Sequence, residues 1–215
     1  MKKTVLVLAL IISTVAFAQN DSKAKNLLNE VSSKVKSYEN ISLDFKNVLE
    51  NTSENMRQET RGDVVLSGDK YRLNFNGFTR IFDGKKLYTI VPSDNEITVS
   101  TEDENEEGDI TPSKMLLFYE TGFVYKMDIV QNIKGRKIQY LKLTPIDSNA
   151  SFKYILLGID AETKHIYNLI QIGNNGTKTT VTVNSFKTNE PISKTLFTFD
   201  KSKYEGYNIY NTDLD

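Results

Sequence analysis

The chain has 215 residues, a formal net charge of −1 and no cysteine. Without cysteine it can form no disulfide, no thiol nucleophile and no lipid-modified cysteine anchor. Lysine and arginine are scattered singly along the chain, so the sequence predicts no basic face suited to DNA or RNA, and nucleic acid is not an expected partner.

The chain begins with a pattern typical of a secretory signal peptide. Two lysines precede an apolar run from Val5 to Ile12, and an Ala-Phe-Ala string ends at Ala18. The apolar run is shorter than the roughly 20 residues that a membrane span requires. We interpret residues 1-18 as a signal peptide and 19-215 as one soluble, exported domain. The expected location is a bacterial periplasm.

The next segment, Ser22 to Tyr38, has the spacing of one amphipathic helix. Its apolar residues recur at helical intervals, and lysine, asparagine, serine and glutamate occupy the rest of the helical wheel. The apolar positions are Ala24, Leu27, Leu28, Val31, Val35 and Tyr38.

From Ile41 onward the apolar period changes to two, which indicates antiparallel strands. Residues that tolerate positive φ, such as Asn76-Gly77 and Asp83-Gly84, mark turns between these runs. About eleven strands are predicted, at 41–45, 60–66, 71–75, 79–82, 86–91, 96–101, 125–133, 137–145, 152–160, 165–172 and 177–186.

An acidic stretch from Glu102 to Asp109 interrupts the strands. After it, Thr111 can cap a short apolar helix and Pro112 suits the first helical position. The stretch matches part of a calcium-binding loop, but the closing position holds Lys114 instead of a bidentate glutamate. A solvated acidic loop without a metal ion is therefore predicted.

Several strings, taken together and in this order, resemble the periplasmic outer-membrane lipoprotein carrier protein LolA family over nearly the whole mature chain. The resemblance implies an α+β, mainly β fold: a single strongly curved, incomplete antiparallel β-barrel of about eleven strands with helices covering the concave face. The strings are the strand with Phe45 after the first helix, "GDVVLSGDKYRL" (62 to 73), "DGKKLYTIVP" (83 to 92), the helix after "TP" (111, 112), "LKLTP" (141 to 145) and Phe197-x-Phe199.

The resemblance also implies a function, which is to carry the acyl chains of lipoproteins in an apolar cavity from the inner to the outer membrane. Such a protein needs no cofactor and no catalytic group, so we do not expect an enzyme. We also expect a monomer. Its expected partners are acylated lipoproteins, an inner-membrane lipoprotein-releasing ABC transporter complex and, where one exists, an outer-membrane acceptor. The cavity residues it suggests are Leu27, Leu28, Val31, Val35, Phe45, Val64, Leu66, Tyr71, Leu73, Phe75, Ile81, Leu87, Met115 and Leu116.

The chain departs from the pattern of that family at one position. Many members carry an Arg-Pro pair just before the aromatic-Arg-apolar string, and that arginine is implied in latching the helical lid. Here the corresponding residues are Ser67, Gly68 and Asp69. We do not assign the role of holding the helical lid closed to Arg72 or to Arg61.

The sequence leaves alternatives open for both the site and the function. The apolar residues of the first helix and of the strand with Tyr71 and Leu73 would also fit an ordinary packed core. A lipid- or acyl-protein-sensing module on the same scaffold is the alternative function, although such sensors usually append a second domain. An envelope hydrolase is disfavoured, because His165 is the only histidine and no G-x-S-x-G string occurs.

Overall fold

A computed structural model describes residues 22–101 and 112–212. The signal peptide and the acidic stretch of the calcium-like loop therefore lie outside the described residues. Helix α1 covers 22–36, where the apolar spacing predicts a helix. Its stripe is buried at Ala24, Leu28 and Val31, while Leu27 and Val35 are half-buried.

Twelve strands are present in the described ranges, and eleven of them correspond to the predicted runs. The twelfth lies in the terminal segment that the sequence predicts to be a polar tail. All four of its residues are exposed, so it lacks the alternation of buried and exposed positions that predicts a strand. The strands are β1 Ile41–Asn51, β2 Met56–Ser67, β3 Lys70–Phe75, β4 Phe78–Phe82, β5 Lys86–Val91, β6 Glu96–Thr101, β7 Phe123–Ile133, β8 Arg136–Pro145, β9 Phe152–Asp160, β10 Ile166–Gly173, β11 Lys178–Thr188 and β12 Asn208–Asn211.

The predicted second helix is a single turn. Helix α2 covers Pro112–Met115, and the backbone N–H of Leu117 donates to Lys114 O at 3.0 Å, an i→i−3 bond that tightens the chain beyond it. Short 3-10 turns follow at Phe118–Glu120 and elsewhere at Thr52–Glu54 and Lys201–Lys203.

The residues group into two compact units. The first contains the residues up to Lys36, Glu50–Asn55 and Tyr119–Thr180. Its strands pair antiparallel in the order β10-β9-β8-β7. The core of this unit includes Ile138, Leu141, Leu143, Leu157 and Ile159, none of which is exposed to solvent.

Three polar contacts fix α1 within the first unit. Ser32 Oγ donates to the hydroxyl of Tyr119 at 3.3 Å, and burial raises the pKa of Tyr119 to about 12. Lys36 Nζ lies 2.6 Å from Glu120 Oε1, and this hydrogen bond holds the pKa of Glu120 below its ordinary value. Lys164 pairs with Glu30 at 3.1 Å.

Strand β7 contains a β-bulge. Met127 pairs with Leu141 but Val130 pairs with Gln139, so one extra residue lies on the β7 side. The Gln139 side-chain amide donates to the carbonyl oxygens of Asp128 at 2.8 Å and Ile129 at 3.4 Å. The carboxylate of Asp128 accepts the N–H of Ile129 at 2.8 Å. The bulge therefore satisfies its own polar backbone groups.

The turn between β9 and β10 is organised by the buried carboxylate of Asp160. One oxygen accepts the N–H groups of Glu162 and Thr163 at 2.9 and 3.0 Å, and the other accepts Arg136 Nε at 2.6 Å. Burial acts to raise the pKa of Asp160, but the Thr163 N–H, the Arg136 guanidinium and the Glu162 N–H outweigh it. The net effect is a pKa below the ordinary value.

We expect Asp160→Asn to lower the free energy of unfolding at pH 7 by about 1–3 kcal/mol, the range for a lost charged hydrogen bond. A carboxyl whose folded pKa is depressed stabilises the fold above its unfolded pKa of about 3.9, and this contribution disappears as the pH falls through the folded pKa. Urea unfolding at pH 7 and at pH 3 should show a large difference from the native chain that shrinks in acid. Glu162→Gln, in the same turn and exposed, is the control; a difference that stayed constant with pH would contradict this account.

The second unit contains Ser37–Leu49, Met56–Phe118 and the residues from Val181 onward. Its strands follow the order β12-β6-β5-β4-β3-β2-β1-β11. Strands β2 to β6 pair antiparallel as consecutive hairpins, whereas β12 lies parallel to β6 at the end of this order.

Strands β4 to β6 are covered on one face by the terminal segment. Ile81, Ile90, Ile97 and Val99 form a buried cluster, and Phe199 packs against it together with three tyrosines. Tyr88, Phe199 and Tyr204 stack face to face, with ring centroids 4.5 and 5.4 Å apart, and Tyr207 meets Tyr204 edge-on. The polar-looking tail is therefore held by aromatic packing.

Candidate functional site

Strands β2 to β5 carry an apolar surface on the face opposite to the cluster under Phe199. We call this surface the apolar face. The register places Val64 opposite Leu73, and Leu66 opposite Tyr71. Tyr71 in turn lies opposite Phe82, and Phe82 opposite Leu87. Since residues opposite each other in a ladder point to the same side, these side chains share one face. The apolar face is formed by Val64, Leu66, Tyr71, Leu73, Phe75, Phe82 and Leu87.

Most of the apolar face is buried. Tyr71 is 1% exposed, and Val64, Leu66, Phe82 and Leu87 are also buried, while Leu73 and Phe75 are half-buried. Helix α2 contacts β2 and β3, and Leu116 just beyond it is buried. Its neighbour Met115 is 51% exposed. Among the described residues of the second unit, the cover over these strands therefore includes a single helical turn.

The residues suggested for the cavity are not all gathered in one place. Leu27, Leu28, Val31 and Val35 belong to the first unit and the other ten to the second. Within the second unit, six share the apolar face: Val64, Leu66, Tyr71, Leu73, Phe75 and Leu87.

Ile81 differs from the expectation, because it pairs with Arg72 and Tyr88 and so points to the opposite face, into the cluster under Phe199. The Asp83-Gly84 turn sets Phe82, not Ile81, opposite Leu87, and a shift of one residue reverses the face.

A cavity of about 660 Å³ lies in the second unit beside the β3–β4 turn, and we call it the turn cavity. Two of the expected residues, Phe45 and Phe75, line it. The full lining is Asp44, Phe45, Arg61, Gly62, Asp63, Asn74, Phe75, Asn76, Gly77, Phe78, Thr79 and Asn184. Phe75 thus belongs to the apolar face and also lines the turn cavity.

Three aromatic rings meet at this cavity. The centroids of Phe45 and Phe75 are 5.6 Å apart, and Phe75 meets Phe78 edge-on at 6.1 Å. Gly62 lies opposite Phe75 on the neighbouring strand. A Cβ at Gly62 would stand 2.6 Å from Phe45 Cζ and 2.7 Å from the backbone oxygen of Asn74, so only glycine leaves room for this arrangement.

A polar ladder crosses the same strands. Asn74 Nδ2 donates to Asp63 Oδ2 at 2.8 Å, and Thr79 Oγ1 donates to Asn74 Oδ1 at 2.8 Å. The register puts Asp63, Asn74 and Thr79 on the face opposite to the rings. The residues that line the cavity therefore include aromatic rings on one face of the sheet and a hydrogen-bonded polar ladder on the other.

The sequence pattern does not reveal this cavity. The predicted fourth strand begins at Thr79, which leaves Phe78 in a turn, and Gly62 falls inside a predicted strand without any further role. The sole local signal is the pairing of a glycine in one strand with an aromatic residue in the next, which single-strand alternation cannot show.

The described residues give no indication of a metal centre or a membrane-spanning helix. In 22–101 and 112–212, no three histidine, aspartate or glutamate side chains are placed to hold a metal ion. His165 has a lowered pKa, through burial and the nearby charge of Lys34. None of the helices in these ranges is both long and apolar enough to cross a membrane.

A family model described as outer membrane lipoprotein carrier protein LolA matches residues 36–200. The chain belongs to the LolA family. The match covers both the apolar face and the turn cavity of this LolA-family protein, and it confirms the resemblance carried by the short strings. No curated protein matches the chain.

Several solved structures are similar to this LolA-family chain. An uncharacterized conserved protein from Thermus thermophilus has a TM-score of 0.58 at 10% identity, covering 85% of this chain and 98% of its own, and it shares the fold. Lipoprotein LppX from Mycobacterium tuberculosis has a TM-score of 0.48 at 12% identity, with 80% and 98% covered. A LolA superfamily protein from Nitrosomonas europaea gives 0.42 at 11% identity, with 82% and 98% covered.

Proposed function

We propose that this LolA-family protein is a periplasmic carrier that binds the acyl chains of lipoproteins and moves them from the inner to the outer membrane. The observation that carries the proposal is the apolar face, a set of aliphatic and aromatic side chains that shares its side of the sheet with Arg80, in a chain that belongs to the LolA family. Carrying requires no catalytic group, so we propose no enzymatic activity.

The physical need for such a carrier follows from the hydrophobic effect. Each methylene group of an acyl chain removed from water contributes about 0.8 kcal/mol. A chain of about ten methylenes therefore opposes transfer through water by about 8 kcal/mol unless an apolar surface covers it. The apolar face is such a surface, with side chains from β2, β3, β4 and β5.

The apolar face is buried in this conformation, so acyl chains need its cover to move. That cover includes α2, a single turn contacting β2 and β3, with Met115 largely exposed next to buried Leu116. A four-residue turn buries little area and costs correspondingly little to displace. In the proposed loaded state, acyl chain replaces the contacts that α2 and Leu116 make with the strands.

Leu73→Glu tests the acyl site. Leu73 is half-buried and lies opposite Arg80 on the neighbouring strand, so a glutamate there can stay hydrated and meet a cation. We expect the variant to fold and to bind acyl chains at least about tenfold more weakly, because an acyl chain would have to desolvate the new carboxylate. Displacement of a fluorescent fatty-acyl probe measures the binding, and thermal melting checks the fold.

Ser93→Glu is the matched control, because Ser93 is exposed in the β5–β6 turn and gains the same charge. Asn74→Glu is unsuitable, since Asn74 bonds both Asp63 and Thr79. A folded Leu73→Glu protein that bound the probe as well as the Ser93→Glu protein would refute the acyl site on this strand.

The proposed partners follow from the proposed cargo. They are acylated lipoproteins, an inner-membrane lipoprotein-releasing ABC transporter complex that loads the carrier, and an outer-membrane acceptor where one exists. The second candidate function is a sensor of lipid or acylated protein on the same scaffold. Isolating the protein from its native envelope and identifying co-purified lipoproteins by mass spectrometry favours the carrier, whereas a single regulatory protein partner favours the sensor.

A further inference from the structure

We propose that Arg80, Thr89 and Thr98 bind an anionic head group, so that the ligands of the proposed carrier include acyl lipids with a phosphate or a carboxylate. We call these three residues the head-group row. The inference rests on the proposed function for the place of the acyl chains, which is the apolar face. It adds the chemistry of the group to which those chains are attached.

The head-group row crosses three neighbouring strands on the same side of the sheet as the apolar face. Arg80 on β4 lies opposite Leu73 on β3 and opposite Thr89 on β5. Thr89 in turn lies opposite Thr98 on β6. Side chains that are opposite each other in a ladder have Cβ atoms about 5 Å apart. The register therefore brings one guanidinium and two hydroxyl side chains together on adjacent strands.

This side of the sheet changes from apolar to polar between β2 and β6. The members of the apolar face on β2 and β3 are aliphatic or aromatic. On β6 the side chains that point to this side are Glu96, Thr98 and Ser100, and all three are half-buried. An amphiphile is divided in the same way. Its acyl chains match the side chains of β2 and β3, and its head group matches the polar side chains that begin at Arg80.

Arg80 places a cation beside the surface on which acyl chains are proposed to bind. It is half-buried, and its Cζ lies 5.6 Å from the ring centroid of Phe78, which shares its strand and its side. An acyl chain covering this surface would remove water from the guanidinium, which is unfavourable unless an anion replaces that water. A head group that carries a negative charge supplies the replacement.

The donors of the head-group row suit phosphate and carboxylate oxygens. A guanidinium presents its N–H donors in its own plane, in a fork that matches both anions, whereas a ring contact uses the flat face of the group. Each threonine hydroxyl adds one O–H donor. In β3 to β6, which the structure describes in full, Glu96 is the single acid on this side, and it lies at the start of β6. Arg80 is the single cation on the same side of these strands.

Two lipids that differ in one phosphate test the head-group row: monomyristoylglycerol and myristoyl lysophosphatidate. Each is titrated, in monomeric form, against the full exported chain loaded with the fluorescent fatty-acyl probe. We expect the phosphate lipid to bind at least about tenfold more tightly, the effect of charged hydrogen bonds. Myristate and myristyl alcohol form a second pair. A gain for myristate extends the ligands to fatty acids and a gain for the phosphate alone restricts them to phospholipids, and either supports an anion site.

Substitutions on the two sides of the sheet locate the effect. Arg80→Gln should bring the ratio of the two dissociation constants close to one, and Arg80→Lys should retain part of it, because the charge remains without the fork. Thr89→Val, which removes a hydroxyl, should lower the ratio a few-fold. Arg72→Gln is the control, since Arg72 is also half-buried but pairs with Val65 and Ile81 on the other side. Thermal melting checks the fold of each variant.

Equal binding of the two myristoyl lipids by the native chain would overturn the head-group row. The same conclusion follows if Arg80→Gln changes the ratio no more than Arg72→Gln does. In both cases, displacement of the probe by monomyristoylglycerol leaves the acyl site standing. Displacement by neither lipid would instead refute the proposed acyl site, and this inference with it.

Discussion

Gly158→Ala is expected to lower the free energy of unfolding by about 2–3 kcal/mol, the cost of adding a methyl group to a packed interior. A Cβ at this position would collide with the Oδ1 atom of Asn168, and would stand 3.0 Å from Tyr140 Cε1 and 3.1 Å from Ile138 Cγ2. All three neighbours are buried, so none can swing into solvent. Urea unfolding of the two proteins measures the difference.

A double-mutant cycle with Asn168→Ala identifies the cause of this loss. Asn168 donates to the hydroxyl of Tyr140 at 3.2 Å, while its Oδ1 atom is buried without a hydrogen-bond partner. Removing the amide should therefore cost less than removing a fully bonded one. The double variant should be more stable than the sum of the two single losses predicts. Strict additivity would show that the collision with Asn168 is not the cause.

Gly62→Ala is expected to lower the free energy of unfolding by about 3 kcal/mol and to displace rings that line the turn cavity. The new methyl group would stand 2.7 Å from the backbone oxygen of Asn74, which cannot rotate away, so β2 and β3 must separate locally. The rings of Phe45 and Phe75 would be displaced together with them. Chemical unfolding measures the loss of stability, and the NMR chemical shifts of the two rings report their displacement.

Phe45→Leu combined with Gly62→Ala provides a control for the second prediction. If the backbone contact dominates, a smaller side chain at position 45 should restore little stability. A double variant as stable as Phe45→Leu alone would instead assign the whole cost to the ring of Phe45. A Gly62→Ala protein within about 0.5 kcal/mol of the native chain, the scale of ordinary surface substitutions, would contradict both causes.

Local chemistry was enough to predict most of the secondary structure. Alternation and turn residues placed eleven strands, and the 3.6-residue period placed α1. The twelfth strand was not predicted because all of its residues are exposed. It pairs with β6 after a segment that is held by the aromatic packing of Phe199 and Tyr204. That packing joins segments far apart in sequence, and periodicity contains no information about it.

The candidate site was predictable only in part, for the same reason. Alternation within β3 correctly put Tyr71, Leu73 and Phe75 on one face. The face of Ile81 depends on the register of β4 against β3 and β5, which alternation within β4 does not give. The Asp83-Gly84 turn pairs Phe82 with Leu87, and this register puts Ile81 on the other face. The turn cavity depends on contacts among four strands, including Gly62 beside Phe45.

The bulge in β7 affects whether copies of this protein can aggregate through strand pairing. An eleven-residue strand with exposed Val124, Ile129 and Val130 would otherwise be a template on which a neighbouring chain could add a strand of its own. Gln139 occupies the carbonyls of Asp128 and Ile129, and the extra residue breaks the regular spacing that an incoming strand must match. The bulge thereby makes β7 a poor template for growth of the sheet into a fibril.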